Sequence, residues 1–101
     1  MHILIINFNL HEMSRDQYLE VCDEVSTAFA DLPGLISKQW LANEETNTYG
    51  GVYLWQDQQA MLDYKGSDLY SELGNNPAFV NITVTDFELL TEPSKVTRAI
   101  S

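Results

Sequence analysis

Positive charge is scarce in this chain. Five lysines and arginines stand against fifteen aspartates and glutamates over 101 residues, a net charge of −10. Phosphate backbones are gripped by clustered Lys and Arg, so nucleic acid is an unsuitable partner. Anionic membrane surfaces are unsuitable for the same reason. Cysteine is almost absent, Cys22 standing alone. A single cysteine makes no internal disulfide and no multi-cysteine zinc site. Cys22 falls on the apolar side of a helical pattern and reads as a small buried hydrophobe, with no histidine beside it to activate a thiolate. Histidine is equally thin, with only His2 and His11. Two isolated imidazoles among scattered acids give no metal-ligand spacing, so no metal is expected. Long hydrophobic runs are missing too. The apolar opening Met1 to Leu10 is short, lacks a basic flank and is interrupted by Asn7 and Asn9. That predicts neither a signal peptide nor a membrane span, and makes the cytoplasm the expected compartment.

What is present is ordinary globular material, 45% hydrophobic. The length predicts one domain, residues 1–101, with a modest core. His2 to Asn9 predicts a strand that is apolar on both faces: Leu4, Ile6 and Phe8 on one, Ile3 and Ile5 leading to Asn7 and Asn9 on the other. A strand of that kind is covered on both sides. Ser14 with Gln17 makes a capping-box pattern for a helix. Tyr18, Cys22, Val25, Phe29 and Leu32 recur at helical spacing along it, and Pro33-Gly34 ends it. Leu35 to Ala42 and Tyr49 to Trp55 predict a hairpin, with Gly50-Gly51 marking a bulge or a close backbone approach. Asp57 caps a short helix through Lys65, and Ser67 caps another carrying Leu69, Tyr70 and Leu73. Ala78 to Leu90 predicts a long final strand, with Val80, Ile82 and Val84 on one face and Asn81, Thr83 and Thr85 on the other. A polar tail follows from residue 91.

The order is βαββαβ, which is α+β and ferredoxin-like: a four-stranded antiparallel sheet with its helices on one face. The opposite face is expected to carry Ile3, Ile5, Tyr53, Trp55 and Phe87, with Trp40 beside them. So large an apolar patch demands cover, and a second copy of the chain supplies it, a homodimer with two-fold symmetry whose 91–101 tails reach the partner. Asn7, Asn9, Asn81, Thr83 and Thr85 share that face, and polar groups there need partners. Together the aromatics and amides read as the wall of a cavity for a small hydrophobic or aromatic ligand. His11-Glu12 follows the first strand as the only acid/base pair active near neutral pH, in what reads as a surface loop. Hairpin register decides which face Trp40 occupies, because a one-residue slip reverses it.

Several stretches resemble the YdhR-type mono-oxygenase family. They are Pro33-Gly34-Leu35, Lys38-Gln39-Trp40, Gly50-Gly51-Val52-Tyr53-Leu54 followed by Asp57, and Asp86-Phe87 with Glu92-Pro93-Ser94. The resemblance implies a dimeric α+β barrel related to antibiotic-biosynthesis mono-oxygenases. Those relatives include enzymes that oxidise phenols with O₂ and no metal, flavin or haem, so it implies no cofactor. It also implies catalytic groups of the indole, phenol and amide type, here Trp40, Tyr53 and Asn7, with Trp55, Asn81, Thr83 and Phe87 binding substrate. Haem-degrading relatives of the fold take an axial histidine from the second half of the chain, and no histidine follows His11. Two functions follow as expectations: a cofactor-independent mono-oxygenase acting on a small aromatic or phenolic compound, or a non-catalytic, stress-associated dimer that binds such a compound. A lyase or isomerase on the same barrel would rest on His11.

Overall fold

The computed structural model describes residues 1–100; residue 101, the end of the expected tail, lies outside the described residues. The first strand, β1 (His2–Leu10), alternates between buried and half-buried residues along its whole length. Its buried set includes Leu4, Ile6, Phe8 and Leu10. Next come α1 (Arg15–Ala30), β2 (Leu35–Asn43), β3 (Thr48–Trp55), α2 (Gln58–Lys65), α3 (Asp68–Asn75), β4 (Phe79–Glu88) and α4 (Thr91–Val96). The four strands form one antiparallel sheet in the order β2-β3-β1-β4. This is the ferredoxin-like βαββαβ arrangement, with the second helical segment broken in two at Gly66-Ser67 as expected.

The helix starts follow from their caps. Ser14 Oγ accepts from the Gln17 backbone N–H at 3.2 Å, and Gln17 Oε1 accepts from the Ser14 N–H at 2.8 Å. Two of the four orphan donors at the start of α1 are thus satisfied reciprocally. Asp57 accepts from Ala60 N–H at 2.8 Å and Ser67 from Tyr70 N–H at 3.3 Å, opening α2 and α3. The inward residues of α1 to α3 then pack on one face of the sheet, where Phe29, Met61 and Tyr64 meet Leu4, Ile6 and Trp55 in a single core.

Register corrects the expected facing of three aromatics. Tyr53 pairs with Leu4, and Trp55 with His2, so both rings point toward the helices and are buried. Trp40 pairs with Gly51 and also faces the helix side, its ring 5.5 Å from Phe29. Both alternating sets of β3 are apolar, so composition alone gives no preference between them. The larger rings of β3, Tyr53 and Trp55, pack against Tyr64 of α2 at 5.5 and 5.3 Å. The uncovered face instead carries Ile3, Ile5, Val52, Leu54 and Phe87, joined through the pairs Ile3–Leu54, Ile5–Val52 and Ile3–Phe87.

Two other expectations change. Between the pairs Asn7–Thr83 and Asn9–Val80, β4 holds one residue more than β1. The bulge centres on Asn81, whose φ is +54°. Alternation breaks there, and Val80 leaves the side of Ile82 and Val84. The expected polar tail also winds into a helix, α4, tied by a 3.8 Å Glu92–Lys95 pair.

β3 approaches β1 closely at Gly50. A Cβ there would meet the Ile6 carbonyl oxygen at 1.9 Å and the Asn7 Cα at 2.9 Å. Backbone cannot yield that distance without parting the two central strands. Gly50→Ala is therefore expected to destabilise by at least ~3 kcal/mol in urea unfolding. At Gly74 in α3 nothing lies within 4 Å of an added Cβ, and Gly74→Ala should stabilise by ~0.5 kcal/mol. Equal effects of the two substitutions would contradict this account of the β1–β3 contact.

Candidate site between the first helix and the sheet

An amphipathic helix shows one stripe to a sheet, and Tyr18, Cys22, Val25 and Phe29 form that stripe on α1. Only Tyr18 and Phe29 are fully buried. Between them Cys22 and Val25 are half-buried, so the middle of α1 stands off the sheet. A crevice of about 50 Å³ opens there, with Cys22, Lys38, Trp40 and Tyr53 among its walls. It adjoins one of about 120 Å³ beneath α3, the two sharing Val21, Val25, Phe29, Leu73 and Phe79. A shallower hollow of about 260 Å³ continues past Lys38 and Trp40 to the β2 edge.

The walls are aromatic. Tyr18 lies 5.0 Å from Tyr49 and 6.0 Å from Phe79, and Phe29 lies 5.9 Å from both Tyr53 and Tyr64. Lys38 and Trp40 are two apart on β2 and so share the inward face. The Lys38 ammonium position is 3.4 Å from the ring centres of both Phe29 and Trp40 and 4.6 Å from that of Tyr53. Gly51, the cross-strand partner of Trp40, makes room for this side chain: a Cβ there would stand 2.8 Å from Lys38 Cε. Trp40 keeps 39% of its surface exposed and forms the lip of the crevice.

Burial governs the protonation of these groups. It disfavours charge, so it pulls the Lys38 amine down to about 7, with Cys22 acting weakly in the opposite sense. It pushes the Tyr18 and Tyr53 hydroxyls well above the ordinary phenol range. The Cys22 thiol is also raised, chiefly by burial. Near neutral pH the crevice thus offers two un-ionised phenol donors and one amine poised between its two states.

Of the residues singled out in the sequence, Trp40 and Tyr53 line this crevice. Trp55 lies beyond it, stacked on Tyr64 at 5.3 Å, and both border a separate hollow of about 160 Å³ under α2. The Trp55 indole N–H and the Tyr64 hydroxyl are buried there without a hydrogen-bond partner. Asn7, Thr83 and Phe87 belong to the uncovered face of the sheet, Asn7 paired with both Gly50 and Thr83. The Asn81 side chain donates to Asn9 Oδ1 at 2.9 Å at the bulge. The structure therefore divides the seven residues between two faces. Lys38 enters the sequence reading only as part of a motif; an ionisable residue on the inward register of a strand, two before an inward Trp, is the signal that marks it. His11 is exposed, 3.9 Å from Glu12, and does not border the crevice. His2 sits 2.6 Å from Asp86 at the other end of the sheet. Among the described residues no three His, Cys, Asp or Glu side chains gather as metal ligands, and no histidine lines the crevice as an axial haem ligand would. No described helix is long and apolar enough to cross a membrane.

Solved structures share this architecture. A cofactor-independent oxygenase, SnoaB from Streptomyces nogalater, is 16% identical over 88% of this chain and 92% of its own, with a TM-score of 0.71. An antibiotic biosynthesis monooxygenase is 14% identical over 89% of this chain and 99% of its own, at 0.72. The haem degrader MhuD of Mycobacterium tuberculosis is 16% identical over 89% and 96%, at 0.70. At such identities the likeness establishes the fold. No curated protein sequence matches. The family model described as "Putative mono-oxygenase ydhR" matches residues 3–100. By that match, spanning nearly every residue, the chain belongs to the ydhR mono-oxygenase family.

Proposed function

We propose that this protein oxidises a small hydroxylated aromatic compound with O₂, without metal, flavin or haem, in the crevice between α1, β2 and α3. The observation that carries the reading is the crevice taken with the two hollows that adjoin it, of about 50, 120 and 260 Å³, since the first alone is too small for a ring. Its aromatic walls suit a flat apolar ring, and its two un-ionised tyrosine hydroxyls suit an oxyanion or peroxide that needs donors. SnoaB, which has the same fold, is a cofactor-independent oxygenase. In the reaction a phenol or enol loses its proton, and the anion passes an electron to O₂. The two radicals join at a ring carbon as a peroxide. Loss of that carbon's proton with cleavage of the O–O bond leaves a carbonyl and releases water. For an anthrone the balance is one CH₂ and one O₂ giving one C=O and one H₂O. The protein's part is a dry pocket, orientation and placed donors. Trp40 at the lip and Tyr53 in the wall are the proposed contacts to substrate.

We also propose that the uncovered face is the contact between two copies of the chain. Phe87 is 55% exposed, and Leu90 and Val96 beyond it are 66% and 78% exposed. With Ile3, Ile5, Val52 and Leu54 they leave an apolar surface that a second sheet would cover. Asn7, Asn81, Thr83 and Phe87 then belong to the dimer interior.

Anthrone- and quinol-type compounds should drive O₂ uptake above buffer, with one quinone formed per O₂, read by oxygen electrode and absorbance. Tyr53→Phe should lower kcat/KM by roughly 10–100-fold. Saturable binding with no O₂ uptake across the panel would instead favour the non-catalytic binding protein. In sedimentation at micromolar concentration the chain should run as a dimer, and Phe87→Asp should shift it toward monomer. A monomeric wild-type chain would rule out the proposed contact.

A further inference from the structure

Lys38 is the one cationic side chain in the wall of the crevice, and no carboxylate joins it there. Among the described residues no acid lies within ion-pair distance of it. A half-buried lysine folded inward at the cost of part of its hydration, without a counter-ion, is an expensive feature on structural grounds alone. The ionisable groups that share the crevice wall with it are Tyr18 and Cys22 from α1 and Tyr53 from β3, and burial raises all three, so none is an anion at pH 7. Glu72 of α3 borders the adjoining crevice and not this one. The side chain is nonetheless held. Gly51 opens the space for its stem, and three rings stand around its end. Burial favours the amine while aromatic faces favour the ammonium, so the site accommodates both forms.

We propose that Lys38 is the proton shuttle of this crevice and that the substrate is an acid of the phenol or enol class, bound as an oxyanion paired with the Lys38 ammonium. The proposal rests on the oxygenase reading for its chemistry, but the acid–base step stands apart from O₂. The substrate O–H bond breaks with its electrons left on oxygen, and the Nζ lone pair forms the new N–H bond. Two neutral groups become an ammonium and an oxyanion, each the other's counter-ion. Once O₂ has added, the ammonium returns that proton to the peroxide. The amine then accepts the proton of the peroxide-bearing carbon as the O–O bond breaks, and delivers it to the departing hydroxide as water. Lys38 ends unchanged.

Titrating 4-nitrophenol bound to the full chain tests this through its phenolate absorbance. In the wild type the ionisation midpoint should fall so that the bound phenol is at least tenfold more acidic than in buffer. In Lys38→Met the midpoint should stay level or rise. Lys38→Arg keeps a cation without an accessible base, so it should retain the lowered midpoint yet lose at least 100-fold in turnover of an anthrone. Nitrophenol bound by the wild type in its neutral form, no saturable binding up to millimolar concentration, or an unchanged midpoint shift in Lys38→Met would each overturn the proposal. A ligand-free check uses folding linkage. If folded Lys38 sheds its proton near pH 7 and unfolded lysine keeps it to the ordinary range, the unfolded chain binds more protons in between. The raised Cys22 thiol acts in the opposite sense as pH nears 9, so the wild type is read against Lys38→Met: its urea midpoint should gain on that of the variant from pH 7 toward pH 9, and no such gain would place a permanent ammonium there and overturn the shuttle. A lowered nitrophenol midpoint without O₂ uptake sinks the oxygenase reading and leaves Lys38 standing. O₂ uptake without the lowered midpoint does the reverse.

Discussion

The pairing of β1 with β3 is the contact on which the rest depends. It brings backbone against backbone at Gly50, where no side chain fits. The register that follows puts Tyr49, Tyr53 and Trp55 under the helices and Val52 and Leu54 outside. β2 then pairs with β3 so that Lys38 lies opposite Tyr53 and Trp40 opposite Gly51. The crevice wall is thus a consequence of strand register. A slip of one residue would turn every one of these side chains to the other face.

The crevice exists because the inward rings hold α1 away from the sheet while its middle turns carry only Val21, Cys22 and Val25. Large residues at its two ends, Tyr18 and Phe29, prop the helix. Smaller ones between them leave a gap lined by rings and one amine. Packing of this kind is normally closed by side chains of the right volume. Here the volume is withheld where four ionisable side chains, Tyr18, Cys22, Lys38 and Tyr53, line the gap. That coincidence of missing volume and misplaced charge distinguishes the spot from the hollow under α2, which is bordered by Trp55 and Tyr64 but holds no cation.

The two faces of the sheet have different work. The helix side holds the core and the crevice, and the outer side is apolar without cover inside the chain. Asn7 and Asn9 lie on that outer side, and Asn81 meets Asn9 there through a hydrogen bond at the bulge. The Asn9 and Asn81 amides therefore knit strand to strand around a bulge, whereas the phenols and the amine face the crevice.

Much of this was legible in the residues. The capping box at Ser14 and Gln17, the hairpin with its paired glycines, the two short capped helices and the order βαββαβ all follow from local chemistry. Local chemistry acts within a few residues and is written in the sequence. So are the poverty of basic charge and of histidine, and the motifs shared with the ydhR family. Facing was not legible for β3, since both of its alternating sets are apolar, nor for Val80, since a bulge is set by the partner strand. Lys38 shows the limit most clearly. Its type and its place two before Trp40 are plain in the sequence. That its amine lies over two rings, half-buried and without a counter-ion, depends on α1, β2 and β3 converging, and only the tertiary structure decides what a charge is buried against.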